Sequence, residues 1–285
     1  CCSIASIKPT TGRVPAAYTY PAPDASLTEQ LFAVEGPMAR TVADVRLGLS
    51  ILAGWHVRDP LSVPMPLDGP GPGVRRVAVM AAPPAGDTDP RIADATRRAA
   101  AALEAAGCQV EEVDAPRYEE VVEVWGGLVL GGIHLALPLL EPILSRPSFE
   151  FLRLAEATIE PPTLDSMGLH WMQRQSLMRA WAEFFTEWDV LLTPTWTQLP
   201  FEHGVDALSA EGALATLTQA RPVMPGNALG LPSAAVPAAV IDGLPVGVLV
   251  NGPAWSELVC LEVAEMIESA ALVPPTPIDP IKATT

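Results

Sequence analysis

A chain of 285 residues that is 49% hydrophobic can build one large domain, or two ordinary ones, around a sizeable core. A formal charge of −16, with arginine pairs only at Arg75-Arg76 and Arg97-Arg98, argues against binding a nucleic-acid backbone. Four cysteines, Cys1, Cys2, Cys108 and Cys260, are too few for a disulfide scaffold, so the default setting is reducing and cytoplasmic.

In chain order, residues 1–15 show no helix or strand of their own. A helix opens at Thr41, with Asp44 three residues on completing a capping box. Val42, Val45, Leu49 and Leu52 follow at helical spacing, and Gly54 ends the run. The proline- and glycine-rich stretch 58–73 reads as a stiff surface linker. Val74 to Met80 reads as a strand. Asp87 or Thr88 then caps a helix with Pro90 in its first turn, running through Ile92, Ala95, Ala99 and Leu103 to Gly107. Cys108 to Val113 is a second strand, and this strand–helix–strand unit predicts parallel pairing with a right-handed crossover.

Residues 116–188 form a helical excursion rich in Trp, Met and Leu, divided at Pro161-Pro162. Its apolar run Val121–Leu140 is interrupted by Gly126, Gly127, Gly131, Gly132, His134 and Pro138, and reads as a buried helix pair or a pocket wall, not a membrane span. Asp189 to Pro194 returns to a buried strand. Asp242-Gly243 between Ser233–Ile241 and Leu244–Val250 is a hairpin signal. A last helix covers Trp255 to Ala271, and 273–285 is a loose tail. The sum is an α/β domain with a mixed sheet flanked by helices and a helical insertion. His56, His134, His170 and His203 lack ligand spacing, so no metal site is expected.

Four motifs, in order, carry a family resemblance. They are Ile7-Lys8-Pro9-Thr10-Thr11-Gly12-Arg13-Val14; Gly36-Pro37-Met38-Ala39-Arg40-Thr41-Val42-Ala43-Asp44; Asp189-Val190-Leu191-Leu192-Thr193-Pro194-Thr195; and Asn227-Ala228-Leu229-Gly230-Leu231-Pro232 with Gly243-Leu244-Pro245-Val246-Gly247-Val248. Together they resemble the amidase signature family. The resemblance implies a mixed α/β sheet and hydrolysis of a carboxamide to a carboxylate and ammonia or an amine, by a Ser–cis-Ser–Lys triad and without a cofactor. An activated serine and preset oxyanion donors suit that chemistry.

The first motif resembles the segment just after the family's nucleophile loop. The resemblance therefore implies that 1–285 is a single partial domain, with the amino-terminal part of the fold, the nucleophile, the bridging serine and the catalytic lysine outside this chain. No residue of this chain takes a catalytic role, and the chain alone is expected to be inactive. Lys8 is not the triad lysine. Ser3 and Ser6 stand where the family has glycine, which puts the local backbone in question. Arg13 and Arg40 read as loop anchors. Substrate-pocket candidates are Trp196, Asn227, Thr193 and Met224. For Asn227 turn-forming competes with pocket lining, and for Trp196 rim packing does. The cluster Trp171, Met172, Met178 and Trp181 reads as core rather than as an acyl pocket. Expected partners are a small-molecule amide and the missing part of the same enzyme, with a second copy of the chain also considered, and no nucleic acid or membrane. Alternatives are the glutaminase component of a tRNA-dependent amidotransferase and a non-catalytic binding remnant.

Overall fold

The computed structural model describes residues 2–17, 26–67 and 76–273. Part of the linker and nearly all of the tail therefore lie outside the described residues. Seven strands form one sheet in the order β2-β1-β6-β7-β5-β3-β4. They are β1 (Ala5–Lys8), β2 (Met38–Ala39), β3 (Arg76–Val79), β4 (Gln109–Glu112), β5 (Val190–Pro194), β6 (Ser233–Ile241) and β7 (Leu244–Asn251). β3 pairs in parallel with both β4 and β5, and the remaining neighbours are antiparallel, so the sheet is mixed.

The helices are α1 (Leu27–Phe32), α2 (Val42–Leu52), α3 (Pro90–Ala105), α4 (Tyr118–Leu140), α5 (Arg146–Glu156), α6 (Leu164–Phe184), α7 (Ala210–Gln219), α8 (Met224–Ala228) and α9 (Glu257–Ser269). One sheet face packs on α2, α3 and α9 through Val45, Leu49, Leu103, Val263 and Ile267. The other packs on α4, α6 and α8 through Tyr118, Val124, Leu128, Leu177 and Trp181. Alternation along β3 divides the two: Val77 and Val79 belong to the first face, Ala78 and Met80 to the second.

Local signals act as expected at several points. The Thr41 hydroxyl accepts from the Asp44 amide at 3.1 Å and donates to the Asp44 carboxylate at 2.8 Å. β6 and β7 join through Asp242-Gly243, both at positive φ, as a two-residue hairpin turn requires. Pro161-Pro162 falls between α5 and α6.

Three expectations are corrected. Residues 5–8 are a strand, inserted between β2 and β6. Asp89, not Asp87 or Thr88, caps α3, because Pro90 occupies its first turn and the Asp89 carboxylate accepts from the Arg91 amide at 2.8 Å. The apolar run Val121–Leu140 lies in one unbroken helix, α4, instead of a pair. Gly127 and Gly131 give that helix its close packing: a Cβ on Gly127 would sit 2.2 Å from the His170 ring, and one on Gly131 2.9 Å from Met167 Sδ, so α4 and α6 approach where side chains are absent. α4 is long and apolar enough to cross a membrane by length and composition. In this fold its first half packs on the sheet and its second half forms a wall.

Candidate substrate site and family

The first, second and fourth family-like motifs converge around β1, and the third forms β5 farther across the sheet. The Thr10 amide donates to Glu257 Oε1 at 2.9 Å, and Arg13 Nη2 meets Glu257 Oε2 at 3.0 Å. The Arg13 guanidinium also stacks over Trp255 at 4.8 Å and donates to the Met65 carbonyl at 2.6 Å. Burial raises the Glu257 carboxyl, but the hydrogen bonds from Arg13 and Thr10 outweigh it and hold the group below its ordinary value. Arg13 is thus a structural anchor that ties the stretch after β1 to the start of α9. Arg40 is exposed at the end of β2. From the second motif, the Pro37 carbonyl accepts from the Ile7 amide at 3.2 Å, and a Cβ on Gly36 would lie 1.9 Å from the Ile7 carbonyl oxygen. From the fourth, the Gly230 carbonyl accepts from the Thr11 amide at 3.2 Å, with Gly230 at positive φ.

Beside this knot lies a cavity of about 640 Å³, the size of a small-molecule site. Its walls are mainly apolar: Phe32 from α1, Trp125, Val129 and Ile133 from α4. Its polar groups are few and include Lys8 from β1 and Asn227 from α8. Asn227 is held on both sides, its Oδ1 accepting from Trp125 Nε1 at 2.7 Å and its Nδ2 donating to the Phe32 carbonyl at 2.7 Å. It therefore locks the two aromatic walls together.

Lys8 is ringed by protein but keeps part of its surface open to the cavity. Its Nζ donates to the Pro9 carbonyl at 2.7 Å. Burial lowers its amine to about 7, against the opposing pull of Glu257 and Cys260. The Cys260 thiol is itself pushed up to about 12 by burial.

The four pocket candidates do not meet in one place. Asn227 lines the cavity. Met224 is buried at the start of α8. Thr193 is buried in β5, and its Oγ1 has no hydrogen-bond partner among the described residues. Trp196 stands elsewhere, its Nε1 donating to Gln219 Oε1 at 3.2 Å and its ring 6.2 Å from that of Phe201. In the aromatic cluster, Trp181 is buried and donates to the Pro116 carbonyl at 2.9 Å, Trp171 packs edge-on to Phe32, and Met172 is exposed. Sequence reasoning missed Lys8, Phe32 and Trp125 as cavity residues. Ser3 occupies the left-handed region at φ 54°, where a glycine would be at ease. Among the described residues no group of three His, Cys, Asp or Glu side chains gathers to hold a metal.

A mixed sheet between two helical layers, with three of four ordered motifs knotted around β1 beside an apolar cavity and the other forming β5 of the same sheet, defines an α/β domain of the amidase signature fold. The Amidase family model matches residues 1–261, and the chain belongs to that family. It is 34% identical over 279 residues to an indoleacetamide hydrolase of Bradyrhizobium diazoefficiens, in a match that covers 95% of this chain and 52% of that protein. It is 26% identical to an acylamidase of Rhodococcus erythropolis, over 94% of this chain and 57% of that protein. A bacterial aryl acylamidase of the amidase signature family superposes with a TM-score of 0.74 at 21% identity, covering 95% of this chain and 59% of that one. The chain thus spans between half and two thirds of the length of these relatives.

Proposed function

We propose that this chain forms the substrate-holding part of an amide hydrolase that acts on small aromatic carboxamides, releasing a carboxylate and ammonia. The observation that carries this reading is the cavity, whose Phe32 and Trp125 walls fit an aryl group and whose few polar groups fit a carboxamide. The likeness to an indoleacetamide hydrolase supports the same substrate class. In the serine mechanism that the family resemblance implies, a lysine and a bridging serine activate the nucleophile, and backbone amides receive the oxyanion. None of the motifs in this chain corresponds to those residues, so the chain alone binds substrate and does not turn it over.

Two measurements test this. Ligand-observed NMR with phenylacetamide should show saturable binding to the chain, lost in Ala136→Phe, which fills the cavity, and no ammonia should be released. Turnover by the chain alone would overturn the placement of the triad, and failure to bind would overturn the substrate class. Binding of glutamine in place of phenylacetamide would favour the glutaminase reading. A folded chimera, with this chain behind the amino-terminal half of the Bradyrhizobium enzyme, should release ammonia from indole-3-acetamide. Its inactivity would favour a non-catalytic binding remnant.

A further inference from the structure

Lys8 stands out among the cationic side chains. The chain has two lysines, Lys8 and Lys282, against fifteen arginines. Arginine stays charged at any physiological pH, whereas lysine can give up its proton when desolvated. Position 8 therefore carries the one kind of cation that can become a neutral amine. Its register partner across the sheet is Ser233, which in turn faces Asn251. Directly opposed residues share a sheet face, so these three polar side chains form a row across three neighbouring strands. Ser233 Oγ and Asn251 Oδ1 satisfy each other at 2.7 Å. Among the described residues Lys8 has only the carbonyl of the next residue, and no carboxylate lies within salt-bridge distance of it.

An ammonium group has three hydrogens to place, and this one finds a single acceptor. The charged form is therefore poorly supported, in line with its lowered pKa. The groups that face it and favour protonation are Glu257 and Cys260 on α9, and Glu29 of α1 lines the same cavity. The rest of the cavity wall is mainly hydrocarbon and aromatic ring, which admits apolar molecules; its other polar groups, the Ser26 and Thr28 hydroxyls and the Asn227 amide, are far weaker nucleophiles than a free amine.

We propose that Lys8 is a covalent capture site for apolar aldehydes that enter this cavity. The unprotonated Nζ adds to the aldehyde carbonyl carbon and forms the C–N bond. The carbinolamine then loses the former carbonyl oxygen as water, with both amine hydrogens, and leaves an imine. No oxidant or reductant is consumed. The proposal stands apart from the hydrolase reading, because it needs only the cavity and the amine.

The test treats the full chain with phenylacetaldehyde and cyanoborohydride, which reduces the imine to a stable secondary amine. Peptide mass mapping separates Lys8 from Lys282 and from the terminal amine. At about pH 7, Lys8 should be labelled roughly tenfold or more faster than Lys282, because an ordinary lysine there is almost wholly protonated. In Lys8→Arg only Lys282 and the terminus should react. Ala136→Phe should slow labelling by phenylacetaldehyde yet leave methylation of Lys8 by formaldehyde intact, which also reports that the variant keeps its fold. Lys8 labelling no faster than Lys282, or fast only in urea, would overturn the proposal. Equal phenylacetaldehyde labelling with the cavity filled would overturn entry through it.

Discussion

The two faces of the sheet are built from different stock. The face under α2, α3 and α9 is sealed by Ala, Val, Leu and Ile with two cysteines, and among the described residues its buried set holds no aromatic ring. The face under α4, α6 and α8 buries Phe32, Tyr118, Trp181 and Trp188, with Trp125, Trp171, Phe184 and Phe185 packed around them. Small branched side chains interdigitate to a dense, featureless contact. Large rings cannot tile a surface so evenly, and the space left between Phe32, Trp125 and the second half of α4 is the cavity. One face therefore holds the fold together, and the other combines packing with the cavity that we propose for recognition.

The sharpest way to break the aromatic face is through Arg221. This buried guanidinium donates to the carbonyls of Pro83, Pro84, Gly86, Asp87 and Thr218, and to Thr197 and Thr88. The carbonyl of the same residue accepts from the Tyr118 hydroxyl at 3.0 Å, so Arg221 joins the loop after β3 to the start of α4. Arg221→Met removes every donor and strands the buried Pro83 carbonyl and Thr197 hydroxyl together with several part-buried carbonyls. A loss of about 4 kcal/mol is expected from urea unfolding, since each unmet buried group costs about 1–3 kcal/mol.

Lys8→Met should move stability the other way. Unfolded, the amine titrates near its ordinary value of 10.5; folded, it titrates near 7, or about 7 as burial sets it. Between those two values the unfolded chain holds a proton that the native chain has lost, so native stability rises with pH across this window. Below about pH 7 both states are protonated and the native state bears the full burden of a poorly supported charge. Lys8→Met lifts that burden. At about 1.4 kcal/mol per unit, discounted for the side of Lys8 open to the cavity, the variant should gain about 3 kcal/mol at about pH 6.5. The gain should fade as the pH approaches about 10. Urea midpoints at both pH values check this, and an advantage that does not change with pH would sink it.

How much was legible follows from how local each signal is. Asp242-Gly243, Thr41 with Asp44, and the parallel pairing of β3 with β4 across α3 are specified by neighbours in sequence, and all three form as read. The α3 cap was legible too, had the first-turn preference of Pro90 been weighed against the more distant Asp87. β1 escaped because four residues are too short for alternation to register; only its place between β2 and β6 makes it a strand. The cavity escaped for a different reason. Asn227 and Phe32 are 195 residues apart and Trp125 is 102 from Asn227, so no window of sequence holds the site. The one clue was composition: a chain rich in arginine keeps a lysine at position 8.

Gly127→Val probes the seam between α4 and α6. The added Cβ would press on the His170 ring at 2.2 Å, and the ring, held between helices, must swing out. Overpacking of this kind costs about 1–3 kcal/mol. A loss near 2 kcal/mol, about the middle of that range, with phenylacetamide binding weakened would show that the aromatic face couples stability to recognition. Stability lost without change in binding would confine the seam to packing.

The smallest effects separate the two serines that stand where the family has glycine. Ser3 is strained at φ 54°, whereas Ser6 lies in β1 opposite Ala235 and Met38. Ser3→Gly relieves the left-handed strain, though glycine returns part of the gain through the entropy of the unfolded chain, and a net stabilisation of about 0.5 kcal/mol is expected. Ser6→Gly meets no strain to relieve. It weakens a strand interior and should lose about 0.5–1 kcal/mol. The same substitution, three residues apart, should thus carry opposite signs in urea midpoints, and equal signs would mean that backbone conformation does not govern this edge of the sheet.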